Sequence, residues 1–157
     1  MKFVTVATRN TGYFDAMMAS AKKNGVTVDV TVAEMQGFQG NPFVVTEDNE
    51  LKRELYDLQK MIDPGDPDKK REIWHMFPGA YMFTSEVYVN VPDGHVAYLT
   101  TPQKFLDAGC TISSAIYGPG YKGLIQGMYT VNGGECFMQP GQVVANLVMQ
   151  KVDSGDK

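Results

Sequence analysis

From residue 26 onward, apolar and polar positions alternate. Val26, Val28, Val30 and Val32 stand against Thr27, Asp29 and Thr31, which predicts a half-buried strand. Lys2 to Ala7 carries the same alternation with a β-branched bias and predicts an earlier strand. Between them, Phe14, Met17, Met18 and Ala21 fall at helical spacing over Tyr13 to Asn24, with Asn24-Gly25 as the stop. The chain thus opens on a β-α-β pattern. Farther on, Thr46 precedes Glu47, Asp48 and Glu50, a capping residue before an acidic first turn. Leu51, Leu55, Leu58 and Ile62 then line up as one apolar stripe. This predicts a helix over about 47–62, ended by Asp63-Pro64-Gly65-Asp66-Pro67.

From Arg71 the pattern changes to short alternating segments broken by turn residues. These fall at Pro78-Gly79, Pro92-Asp93-Gly94, Gly118-Pro119-Gly120, Asn132-Gly133-Gly134 and Pro140-Gly141. Such spacing predicts a mainly β fold, an antiparallel sandwich or barrel. The reading divides the chain into an N-terminal α/β extension over 1–70 and a β domain over 71–157. A short helix is expected at Phe105-Leu106-Asp107, with Phe105 and Leu106 facing in and Asp107 out. Asp153 to Lys157 reads as a solvated tail.

Composition narrows the function. A chain of 157 residues with 43% hydrophobic and 20% charged residues is one ordinary globular domain. A net charge of −4 argues against nucleic acid as a partner, because that needs clustered cations. The one basic run, Lys69-Lys70-Arg71, lies beside Asp63, Asp66 and Asp68, which cancel its field. No signal peptide precedes the first strand and no run approaches the ~20 apolar residues of a membrane span, so a cytoplasmic protein without a membrane partner is expected. Cys110 and Cys136 are too few for a disulfide framework or a zinc site and read as buried free thiols. His75 and His95 have no metal-spaced companions, so each is expected to satisfy a local hydrogen bond, and no metal or cofactor is implied. The 10 methionines are mostly core filler, with some left for a contact surface. Trp74, Phe77, Tyr81 and Phe83 read as core or interface.

Five pieces then occur in a recognisable order. They are Phe77-Pro78-Gly79 running to Thr84-Ser85-Glu86, Val91-Pro92-Asp93-Gly94-His95, Thr100 to Gly109, Ile116 to Gly123, and Pro140-Gly141 to Val148. Together they resemble the dUTPase and dCTP deaminase superfamily over about Ile73 to Val152. The resemblance implies a dUTPase-like antiparallel β fold and a homotrimer. In that family an Arg-Ser-Ser run and a second Arg hold the nucleotide phosphates, since a triphosphate is met by fork-shaped donors and hydroxyls. The matching positions here are Pro102, Gln103 and Lys104, then Asp107. An Asp three residues before an aromatic orients the attacking water; with Tyr121 as the aromatic, that position is Gly118. The deaminase Glu falls at Met128, and the glutamine of the closing strand at Asn146. The glycine-rich tail is absent, and between Gly94 and Gly134 the only acidic residue is Asp107.

These replacements lead to an expectation of no enzyme activity. A catalytically empty trimer resembles a phage virion component such as a capsid decoration protein, with capsid or other virion proteins as partners and the virion as its place. A regulator binding a nucleotide or small ligand, or a divergent dUTPase or dCTP deaminase, are the alternatives. Residues 1 to about 35 also resemble the opening of the glycosyltransferase domain in procollagen-modifying enzymes, through Val4-Thr5-Val6-Ala7-Thr8 and Ser20 to Asn24. That chemistry needs a longer chain and a metal-holding carboxylate pair. Asp66-Pro67-Asp68 has the spacing but sits in a Pro/Gly-rich loop.

Overall fold

A computed structural model describes residues 5–8 and 27–152. The helix expected over Tyr13 to Asn24 and the tail from Asp153 lie outside the described residues. In chain order the elements are β1 (Thr5–Thr8), β2 (Thr27–Phe38), β3 (Val44–Val45), β4 (Glu50–Leu51), β5 (Leu55–Asp57), β6 (Lys60–Ile62), β7 (Glu72–Met76) and β8 (Gly79–Asn90). There follow β9 (His95–Thr100), the helix α1 (Gln103–Asp107), β10 (Thr111–Ser113), β11 (Lys122–Val131), β12 (Cys136–Met138) and β13 (Val143–Lys151).

The main sheet runs β10-β11-β8-β2-β13-β9, with antiparallel pairing throughout. A bridge between Ala97 and Tyr117 brings its two ends together, each donating its N–H to the other's carbonyl at 2.9 and 2.7 Å. The result is a nearly closed barrel, a shape that leaves few open edges. β2 makes it possible. Its first residues, Thr27 to Thr31, pair with β13, while Val32 to Gly37 pair with β8. A bulge between Val32 and Glu34 bends the strand from one wall to the other.

The alternation seen in the sequence decides what this strand buries. Val28, Val30 and Val32 face inward, where they meet Phe83, Ile125 and Leu147. Each fully buried aliphatic or aromatic side chain contributes about 1.5–3 kcal/mol. The packing is tight at Gly127, where an added Cβ would stand 2.8 Å from Phe83 Cε1 and 2.9 Å from Leu99 Cδ1. Gly127→Ala should therefore overpack the core and cost about 1–3 kcal/mol in urea unfolding. An unchanged midpoint would show that the barrel gives way there at no cost.

β1 and β2 both run antiparallel to β8, on the edge of β8 that β11 does not occupy. Thr5–Thr8 pair with Asn90–Val87, and β2 pairs farther along. They therefore share a direction.

The helix expected over 47–62 does not form; β3, β4, β5 and β6 occupy the segment. Thr46 closes a hairpin turn instead of capping a helix: its N–H and its Oγ1 both donate to the Asn49 carbonyl, at 2.7 and 3.3 Å. β5 then pairs with the end of β2 and β6 pairs with β7, so tertiary partners outcompete local helical bonds. Leu51, Leu55 and Ile62 are exposed, and only Leu58 packs on the core. The residues expected to stop the helix instead turn the chain after β6, where Asp63 Oδ1 accepts the Gly65 N–H at 2.9 Å. Asp66 lies 3.5 Å from Lys69 Nζ and 3.6 Å from Arg71 Nη2, so its carboxylate offsets part of the basic run's charge. Such exposed pairs contribute little to stability. β12, β7 and β6 form a second, three-stranded sheet that shares the core through Trp74, Met76 and Met138.

Four buried or half-buried tyrosines, Tyr81, Tyr117, Tyr121 and Tyr129, hold their phenol protons more tightly than the ordinary value of 10.0, chiefly because burial penalises the phenolate. Burial likewise pushes the Cys136 thiol up from 9.0. Above those ordinary values the unfolded chain loses protons that the native state keeps. The native state then binds more protons, and stability falls as pH rises. Melting temperature should decline from about pH 9 and steepen above about pH 10. Tyr129→Phe should show a shallower decline in the same alkaline melts, and an identical slope would exclude Tyr129 as a source.

Candidate functional site

The chain leaves β9 at Thr100 and turns through Pro102 into α1. The Pro102 carbonyl accepts from Phe105 N at 3.0 Å and Leu106 N at 3.3 Å, which starts this single-turn helix. Gln103 Nε2 donates to Asp107 Oδ1 at 2.9 Å across the turn. Lys104 is exposed, its Nζ 5.4 Å from the centre of its neighbour's ring. Phe105 is half-buried and meets Tyr129 edge-on at 5.7 Å. Leu106 was expected to face in but is 48% exposed. One helical turn offers the barrel a single inward position, and Phe105 takes it.

A groove of about 370 Å³ lies between α1 and the 132–137 turn, with Lys104, Phe105, Tyr129 and Phe137 among its walls. Beneath it, the Tyr129 hydroxyl and Cys136 Sγ are 3.2 Å apart. Cys110 is buried and Cys136 half-buried, and both thiols are free. On the neighbouring strand β7, His75 stacks on Phe137 at 4.3 Å and contacts Phe77 at 4.4 Å, while its Nε2 meets Glu135 Oε1 at 2.8 Å. Trp74, Tyr81 and Phe83 are core residues, whereas Phe77 is exposed.

The second part of the site is the hairpin arm over 113–128. Ser114 Oγ accepts the Leu99 N–H at 2.9 Å and so ties the arm to β9. The Tyr117 hydroxyl donates to the Gln126 carbonyl at 2.6 Å and accepts the Gln126 N–H at 3.1 Å. Tyr121 packs on it at 4.6 Å, and the Tyr121 hydroxyl donates to Leu124 O at 2.8 Å. A hollow of about 320 Å³ beside this clamp is lined by Met82, Ser114, Tyr117, Gln126, Gly127 and Met128, among others. Gln126 Nε2 donates to Thr84 Oγ1 at 3.1 Å in the adjacent strand.

The positions singled out in the sequence fall into separate places. Pro102, Gln103, Lys104 and Asp107 are on or beside α1; Gly118 and Tyr121 are in the turn beyond Tyr117; Met128 lines the hollow. Asn146 is half-buried on β13, opposite Thr100 and Asp29. The Thr101 hydroxyl bonds to Ile112 at the α1 end of the arm, and Tyr117 bridges to Ala97 at the other. An extended run of five residues spans roughly 16 Å. Within one chain, α1 and the Gly118 turn therefore sit at opposite ends of the arm.

The turn at Pro92 to His95 carries Asp93, just outside the Gly94 to Gly134 interval in which Asp107 is the only acidic residue. The turn is closed by His95 N–H to Pro92 O at 3.2 Å, and His95 Nδ1 lies 2.9 Å from the Asp93 carbonyl. Among the described residues no group of three or more His, Cys, Asp or Glu is placed to hold a metal, Asp66 and Asp68 included. No helix among them is long and apolar enough to cross a membrane.

A nearly closed antiparallel barrel bearing one short helix among its described residues is a dUTPase-like fold. A probable deoxyuridine 5'-triphosphate nucleotidohydrolase of Aeropyrum pernix is 28% identical over 128 residues, 80% of this chain and 74% of that protein. The chain is thus similar to a dUTP nucleotidohydrolase along most of its length. Among solved structures, a dUTPase of Staphylococcus bacteriophage 80alpha with dUpNHpp matches at TM-score 0.49 and 16% identity over 55% of this chain and 75% of its own. The EIAV dUTPase matches at TM-score 0.49 and 18% identity over 78% and 92%. No protein-family model matches the chain. The expectation of a protein without enzyme activity is corrected by the Aeropyrum relative, a nucleotidohydrolase aligned along most of the chain.

Proposed function

We propose that the chain is a divergent dUTPase, a hydrolase of deoxyuridine triphosphate, whose working site is shared between copies of the chain. The observation that carries this reading is the match to a dUTP nucleotidohydrolase over 80% of the chain. The hollow beside Tyr117, Gln126 and Met128 offers a base-sized recess with amide and hydroxyl groups at its wall. Lys104 is the one cation among the α1 positions that correspond to the family's phosphate clamp. The separation of α1 from the Gly118 turn means that uniting them takes a second protomer, which accords with the homotrimer implied by the resemblance. Met128 cannot act as an acid or base, so hydrolysis is favoured over deamination. Attachment to a capsid has no observation in its favour and is set aside.

The test is incubation with dUTP or dCTP and Mg²⁺, products being separated by ion-exchange chromatography, alongside mass measurement by light scattering. Consumption of dUTP, dCTP left without a uracil product, and a mass of three chains are expected. A protein that leaves dUTP intact would end the reading, whatever its mass.

A further inference from the structure

The place where the family's water-orienting carboxylate would stand is occupied by Gly118, and a Cβ built there meets nothing within 4 Å. The space is open, so a group from a neighbouring element can enter it. Two sets of backbone bonds enclose that space. On one side Ala97 and Tyr117 exchange both hydrogen bonds; on the other Gly120 N–H donates to Val91 O and Val91 N–H to Tyr121 O, each at 2.9 Å. Residues 92–96 are thereby held opposite 118–119 in a closed ring of chain. Of these, Asp93 alone carries a carboxylate.

The same ring selects between the two titratable candidates in the turn. His95 Nε2 is shielded from solvent and its Nδ1 is engaged with the Asp93 carbonyl, so the imidazole is sequestered. Asp93 is exposed. Two cationic residues share this end of the barrel by register: Lys122 pairs with Asn90, and Lys151 pairs with His95. Val152 N–H donates to Gly94 O at 2.8 Å and fixes the C-terminal strand against the turn. An anionic substrate brought to the Gly118 turn would therefore meet cations on the strands and a carboxylate on the loop.

We propose that Asp93 replaces the missing carboxylate of position 118 and acts as the general base of nucleotide hydrolysis. This inference rests on the reading of the chain as a dUTPase. In the step, Asp93 takes a proton from water as the water oxygen bonds to phosphorus. The phosphoanhydride bond to that phosphorus breaks and its electron pair stays on the bridging oxygen of the departing phosphate chain, while the proton rests on Asp93, so atoms and charge balance without an oxidant or a further reactant.

Kinetics on three proteins test it: the wild type, Asp93→Asn, and Asp93→Asn combined with Gly118→Asp. The single variant should lose about 10²-fold or more in kcat for dUTP, with KM within about twofold, because a positioned base contributes some 10²–10⁴-fold. The double variant should recover most of that loss, which a structural role for Asp93 would not produce. Matched melting temperatures keep a folding defect from imitating the result. A wild type that hydrolyses dUTP beside an equally active Asp93→Asn would overturn the Asp93 assignment and leave the hydrolase reading standing. A wild type that does not hydrolyse dUTP would sink both.

Discussion

Gly118→Asp should raise kcat for dUTP at least tenfold while leaving the fold intact. The backbone there needs no glycine: Gly118 is not among the glycines with positive φ, unlike Gly120 at +86°. A side chain added at 118 also enters open space. Stability should therefore change by less than about 0.5 kcal/mol, as for other substitutions clear of a packed feature. The gain is chemical. A general base in position contributes about 10²–10⁴-fold, and a carboxylate reaching across from the Pro92 to His95 turn leaves part of that unrealised. Restoring the group to the turn beside Tyr121 should capture the remainder, and the increment should be larger when Asp93 is neutralised. Steady-state assays with dUTP, with dCTP as control, read the effect. No gain in a folded variant would mean that substrate does not reach the Gly118 turn, and the site would have to be sought elsewhere.

Position 118 also shows how far a single sequence can be read. The turns at Pro78-Gly79, Pro92-Asp93-Gly94 and Pro140-Gly141 were legible because each places a glycine where φ is positive, at +150°, +75° and +88°. The alternation of Val28, Val30 and Val32 was legible because one face of β2 is buried. Leu51 and Leu55 misled for the same reason that helical stripes are persuasive: a spacing of four also keeps residues on one face of an extended chain. What resolved the ambiguity was pairing with β2 and β7, which local pattern does not encode. Asp93, in one of those legible turns, carries no local sign of its nearness to Gly118. It is 25 residues from Gly118 in sequence, and only the ring closed by Val91, Ala97, Tyr117 and Gly120 makes the two neighbours. Register between distant strands is set by the whole barrel and is not written in the motif's own interval.

The largest structural effect is expected from Trp74→Ala. Trp74 is 2% exposed although it belongs to the small three-stranded sheet and not to the barrel. It pairs with Lys60 on one side and Met138 on the other, and Lys60 Nζ lies 6.0 Å from its ring centre. Its ring reaches the same hydrophobic cluster as Met35 of β2, so it fastens the second sheet to the barrel wall. Truncating a buried tryptophan costs about 3–5 kcal/mol, a large share of the roughly 5–15 kcal/mol that holds a domain together. At about 2–4 °C per kcal/mol for a chain of this size, the melting temperature should fall by roughly 6–20 °C. Because Trp74 is the chain's single tryptophan, unfolding is followed by circular dichroism. Met61→Ala on the adjacent strand, where the side chain is 40% exposed, should cost far less. Equal losses from the two would show that the small sheet is not docked through Trp74. The consequence extends to function, because the same sheet carries Cys136 and Phe137, which wall the groove beside Lys104. Loosening it should therefore weaken substrate binding at α1 before it alters chemistry at the Gly118 turn. In the folded fraction, KM for dUTP should rise at nearly constant kcat.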